Sequence, residues 1–167
     1  MDPLKTLASR VVDRHRVKAA KAEEANLPDW AKKYVRTLGL EEHLEDFQRK
    51  TTMPLRSLIW LQMWTWRMPS DMPLPSEVVK DFKAFRPKSV VTGYRYVSKS
   101  SIQAELQKKL VSYVTNEEFG LQMAESEPDA FLRITSLNPS DVLVSTYELG
   151  CAPADVNLIE EIIVFNK

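Results

Sequence analysis

The chain has 167 residues, 44% of them hydrophobic and 28% charged, with 23 basic and 23 acidic groups. That length suits one domain, or one domain with a substantial terminal extension, and the composition excludes a disordered or fibrous chain. A single cysteine, Cys151, excludes an intramolecular disulfide framework and a Cys-rich zinc site, and with only two histidines no metal centre is expected.

The charge is unevenly spread. Residues 1–100 carry 19 basic and 12 acidic groups, a net +7, and residues 101–167 carry 4 and 11, a net −7. A basic half can serve nucleic acid or another anion, though two faces of one soluble domain give the same pattern. The opening "MDPLKTLASR" has no hydrophobic stretch behind its charges, so no signal peptide is expected. "SLIWLQMWTW", the most apolar segment, is too short to span a bilayer. The expectation is a cytoplasmic protein without a membrane partner, residing in the host cytoplasm if a phage encodes it.

Along the chain, residues 3–25 place Leu4, Leu7, Val11 and Val12 at helical spacing. "LPDWAKKYVRTLGL" repeats the pattern with Trp30, Tyr34, Val35 and Leu38, and Gly39 marks its stop. "EEHLEDFQRK" is a short amphipathic helix. "PLRSLIWLQMWTWRM" begins with Pro54 in the first turn and is apolar nearly all round, the pattern of a central buried helix. Trp60, Trp64 and Trp66 could make a stacking platform for a base or ligand; a packed core is the plainer use. After the Pro-rich connector "PSDMPLPSE", Ser76 caps a helix running through Ala84.

From residue 88 the texture changes to strands. "SVVTGYRYVS", "LVSYVT", "AFLRITS", "DVLVSTYEL" and "LIEEIIVF" are β-branched and aromatic. "SSIQAELQKK" and "TNEEFGLQMAESE" are helices, the second opening on a capping box of Thr115 and Glu118. The order β-α-β-α-β-β-β follows a helical start. The expected fold class is α+β, with a helical region over residues 1–75 and an α+β domain over residues 76–167.

The last strand poses a problem of its own, because Glu160 and Glu161 interrupt an aliphatic run. Neighbours in a strand point to opposite faces, so one of the two carboxylates faces whatever the strand packs on unless both sit at a solvated start. Three elements give the acid a possible use. One strand carries Arg95 between two tyrosines, Tyr94 and Tyr96; a second carries Ser112 and runs into a capped helix; the last opens on glutamate. In this order the segment resembles the mono-ADP-ribosyltransferase superfamily, and most closely its arginine–serine–glutamate branch of bacterial toxins and tailed-phage enzymes. The likeness covers roughly residues 76–167 and extends to Ala124 at the end of the helix after the serine strand.

That resemblance implies a small mixed β-sandwich that uses NAD as substrate and transfers ADP-ribose to a host protein or nucleic-acid acceptor. It implies Glu161, Ser112 and Arg95 as the catalytic set, with Arg95, Ser112 and Tyr94 holding the dinucleotide. The chemistry suits these residue types. Breaking the nicotinamide–ribose bond develops positive charge that a fixed carboxylate stabilises, a guanidinium forks onto phosphate, and a hydroxyl orients ligand or acid. Tyr96 stands where the family usually has Gly, and Ser112-Tyr113-Val114 replaces Ser-Thr-Ser. Ile159 stands where arginine-modifying members have Glu or Gln, which points to another acceptor; with Glu160 as the acid, Leu158 would stand there.

Each residue also has a plainer use: Arg95 paired with a neighbouring carboxylate, Ser112 a small edge residue, Glu161 a solvated strand start. The basic run Lys80, Lys83, Arg86 and Lys88 could contact phosphate or be a solvated helix face. An alternative function is a non-enzymatic protein on this or another α+β scaffold that binds and inhibits a host protein. A third is a nucleic-acid binder using residues 10–36.

Overall fold

The computed structural model describes residues 26–42, 44, 52–65, 73–145 and 161–166. The helix expected over residues 3–25, most of the one over 41–50, the basic run of residues 14–21, Trp66, Cys151, Leu158, Ile159 and Glu160 lie outside the described residues. The chain divides into two compact units, the first reaching Asp81 and the second beginning at Phe82.

In the first unit, α1 spans Asp29–Leu38, with Asp29 in its first turn and Arg36 in its last, each favourable to the helix dipole. Gly39 ends it at φ 63°, and its N–H and that of Leu40 bond the carbonyls of Arg36 and Val35. Helix α2 spans Leu55–Thr65, and the Pro54 carbonyl before it accepts from the N–H groups of Ser57 and Leu58. Leu55, Leu58, Ile59, Trp60, Leu61 and Met63 are each 2% exposed or less, as a helix apolar on every side requires. Trp60 stacks on Trp64 at 5.9 Å, and its Nε1–H donates to the Pro73 carbonyl at 2.9 Å. Trp60 is therefore core, and the half-buried Trp64 packs on it.

Helix α3 spans Ser76–Phe82 and passes into a 3-10 turn at Lys83–Phe85, so the expected helix tightens before Ala84. Its Asp81 carboxylate accepts both arms of the Arg56 guanidinium, at 2.8 and 3.0 Å, and the Ser57 hydroxyl at 2.7 Å. Burial raises the Asp81 pKa, but the hydrogen bonds from Arg56 and Ser57 outweigh it and hold the carboxyl below its ordinary value.

The second unit is one antiparallel sheet with helices in its connections. Its strands are β1 (Val91–Ser98), β2 (Leu110–Val114), β3 (Ala130–Leu137), β4 (Val142–Ser145) and β5 (Glu161–Phe165). Helix α4 (Ile102–Gln107) joins β1 to β2, and α5 (Glu117–Glu125) joins β2 to β3. The α5 cap is Asn116, whose side chain accepts from the Phe119 N–H, rather than Thr115 one place earlier. Fold class is therefore α+β; no second sheet appears among the described residues. No helix among them is long and apolar enough to cross a membrane.

The strand order is β3-β1-β2-β5-β4. β1 and β3 are in register over eight residue pairs and β2 and β5 over five, but β1 and β2 share one registered pair, Tyr94 opposite Val114. The sheet is thus two ribbons, β3–β1 and β2–β5–β4, meeting at a narrow seam. Residues opposite one another in a ladder share a face. Tyr94, Val114 and Glu161 therefore lie on one face with Ser112, Leu132 and Ile134, and Gly93, Arg95, Val111 and Tyr113 lie on the other.

The second face carries the core: Val111, Tyr113, Leu137, Val142, Ile162 and Val164, with Val91 packed against it. This cluster draws on every strand and so helps close the seam. Gly93 admits the approach, since a Cβ there would lie 2.7 Å from Leu137 Cδ1 and 2.8 Å from Tyr113 Cβ. On the first face, α5 comes equally close, a Cβ on Gly120 falling 2.9 Å from Tyr94 Cβ.

Gly93→Ala therefore overpacks the seam and should cost about 1–3 kcal/mol in urea unfolding. Ile134→Thr, at a side chain 59% exposed, should stay within about 0.5 kcal/mol of wild type.

Candidate functional site

The three strands bearing Arg95, Ser112 and Glu161 are adjacent, in the order β1-β2-β5. Glu161 lies opposite Val114, and Val114 lies opposite Tyr94, so these residues form a row across the first face. Ser112 sits two residues from Val114 on that face, opposite Ile163. Tyr94, Ser112 and Glu161 are all half-buried.

Arg95 leaves from the opposite face. Its Nε and Nη2 donate to the two oxygens of Glu105, at 2.5 and 3.0 Å, and its Nη1 donates to the Ser112 carbonyl at 3.0 Å. The guanidinium therefore bridges α4 and β2 from its seat on β1, beside the seam where the two strands share one registered pair. Three of its five N–H donors are so used. The paired-arginine alternative describes this geometry directly, and Arg95 reaches Ser112 through the backbone rather than the hydroxyl.

Glu105 is held on every side. Its side chain is 8% exposed, against 18% for Arg95, and Lys108 Nζ lies 3.2 Å from its second oxygen. Asn166, following β5, donates from its side-chain amide to the carbonyls of Glu105 (2.9 Å) and Lys108 (2.8 Å). Its own N–H bonds the Lys109 carbonyl at 2.9 Å. These bonds tie the end of α4 to β5, the Glu105 carbonyl accepting from the Lys108 N–H as well. The hydrogen bond from Arg95 is the largest influence on Glu105 and lowers its pKa below the ordinary 4.5, against the opposing effect of burial.

The other expected residues divide. Tyr113, in the place of the family's threonine, is 2% exposed and belongs to the core, with the Arg133 guanidinium 5.9 Å from its ring centroid. In the basic run, Arg86 Nε donates to the Leu143 carbonyl at 3.3 Å, while Lys80, Lys83 and Lys88 are exposed. Among the described residues, no group of three or more His, Cys, Asp or Glu side chains could hold a metal ion.

Glu105 and Asn166 escape a motif search because each is one polar residue in an ordinary segment. A signal for Glu105 exists all the same. An arginine on the core face needs an acid, and Glu105 is the sole carboxylate between the β1 and β2 strands.

Comparison with protein-family models, curated proteins and solved structures returns no match for this chain.

Removing Arg95 leaves the buried Glu105 carboxylate only the partly exposed Lys108 as a charged partner, so Arg95→Met should cost about 3 kcal/mol at neutral pH, the lower end for a broken buried pair. Because the folded pKa of Glu105 is depressed, the pair's contribution is complete above 4.5 and is lost as pH falls through the folded value. The stability gap between wild type and Arg95→Met, measured by denaturant unfolding across pH, should therefore narrow on acidification below that point.

Proposed function

We propose that the sheet unit is a transferase that moves ADP-ribose from NAD onto a macromolecular acceptor, with Glu161 beside the reacting ribose. One observation supports this above the rest. The strands carrying Arg95, Ser112 and Glu161, remote in sequence, are adjacent in the sheet, with Ser112, Tyr94 and Glu161 on one face.

In this scheme the bond between ribose C1′ and the nicotinamide nitrogen breaks, and nicotinamide leaves with the electron pair. The positive charge left on the ribose is stabilised by the Glu161 carboxylate, which also accepts a hydrogen bond from the 2′-hydroxyl. A nucleophilic oxygen or nitrogen of the acceptor attacks C1′ and loses its proton to solvent or to the acid. Ser112 orients the carboxylate or the ligand. Arg95, which leaves β1 from the opposite face, fixes the Ser112 segment of β2 through its bond to the Ser112 carbonyl. With Ile159 in place of Glu or Gln, the acceptor is a protein group other than arginine, or a nucleic acid. An effector encoded by a phage or toxin-producing cell would act in this way on its host.

A second function has its own support. Glu105 occupies the side-on fork of Arg95, and Arg95 and Glu161 leave the sheet from opposite faces. That arrangement suits a non-enzymatic scaffold that binds a host protein through its surface.

Incubation with labelled NAD and a cell lysate separates the two. The transferase predicts label transfer that falls by about 10²–10³ in Glu161→Ala, the scale of losing one transition-state stabilising group, and survives in Glu160→Ala. The reverse pattern moves the acid to Glu160. Transfer that survives both substitutions, or no transfer together with no NAD binding by calorimetry, contradicts the assignment and favours the scaffold.

A further inference from the structure

A carboxylate that nothing in the catalytic scheme consumes is nonetheless gripped by two cations, Arg95 and Lys108. Glu105 binds the side-on edge of Arg95 with both oxygens, and a guanidinium gripped there cannot rotate about its own plane. The same guanidinium reaches the Ser112 carbonyl with Nη1, so its orientation sets where that part of β2 lies relative to β1. Glu105 is itself fixed: Lys108 Nζ sits at 3.2 Å, and Asn166 bonds the carbonyls of Glu105 and Lys108. Asn166 follows the strand that opens with Glu161. A hydrogen-bonded circuit thus runs from β5 through α4 to β1 and back to β2, touching each strand that bears a candidate residue.

We infer that Glu105 is a positioning residue for the NAD site, acting through Arg95 on the opposite face to hold the Ser112 segment of β2 against β1. The inference presupposes the transferase function proposed above. Glu105 contacts neither NAD nor acceptor. Its role is that of an outer carboxylate holding an arginine that in turn fixes a ligand-facing strand segment, an arrangement that gains precision by locking the rotamer of the residue it holds.

Glu105→Gln tests it, since glutamine keeps the shape and one acceptor oxygen but loses the charge and the second acceptor. Steady-state NAD turnover is measured at a temperature where wild type and variant are both fully folded by circular dichroism. A KM for NAD raised about two- to tenfold, the scale of one neutral hydrogen bond weakened on binding, with kcat nearly unchanged, supports positioning of the Ser112 segment. Unchanged KM and kcat in the folded variant would overturn it and leave a purely structural ion pair. If Glu105→Gln does not fold, Asn166→Ala loosens the same circuit from its other end and should raise KM in the same direction; no change there overturns the inference equally.

Failure of the transferase function itself reads differently. Wild type that neither binds nor cleaves NAD removes the reaction, and nitrogen-15 NMR of the Arg95 guanidinium then decides the orienting role alone. Separate, slowly rotating Nη signals in wild type that average in Glu105→Gln support it. Averaged signals in wild type contradict it.

Discussion

The bridge made by the Arg95 guanidinium, from the Glu105 carboxylate to the Ser112 carbonyl, is the contact on which the sheet unit depends. Elsewhere the ladders are long, eight registered pairs between β1 and β3 and five between β2 and β5. Between β1 and β2 there is one such pair. Backbone carbonyls in a protein interior require donors, and a fork of N–H groups supplies one at Ser112 while its other edge meets an acid. An ion pair of this kind adds little net stability over a well-packed apolar substitute, but breaking one half of it is costly. Its value lies in fixing a single arrangement of the two ribbons.

Packing works to the same end from both faces. Gly93 lets Tyr113 and Leu137 meet beside the seam, and Gly120 lets α5 lie against Tyr94. Large side chains thereby come from neighbouring strands where small ones stand opposite, as a dense interior needs. The consequence for function is geometric. The row Tyr94, Val114, Glu161 and the nearby Ser112 occupy one face, held in place from the other by Arg95 and the apolar cluster. Groups that would touch a ligand are separated from the groups that hold them.

Much of this was legible in the chain. The strand segments and the two helices between them follow from β-branched runs, turn residues and capping signals, and the order β-α-β-α-β-β-β is the one observed over the described residues. The apolar α2 helix and the Gly39 stop were equally plain, because burial on all sides and a left-handed residue each leave a local mark. Faces and partners were not. Whether Arg95 shares a face with Glu161 depends on the register of two ladders, which a single strand does not encode. Asn116 replaces Thr115 as the α5 cap because side chains one place apart offer the same chemistry, and backbone geometry chooses between them. Asn166 bonds α4 across 61 residues of chain, a relation visible only once β5 is set beside β2.

The central claim is that Arg95 holds the two ribbons together. Amide hydrogen exchange read residue by residue tests it most directly, since it reports which segments open together. In Arg95→Met, under conditions where the protein remains folded, protection should fall at β2 and on the β2 side of β1 while the β1–β3 pairs keep theirs. Unchanged protection at Val111 through Val114, or a uniform loss across all the strands, would contradict it.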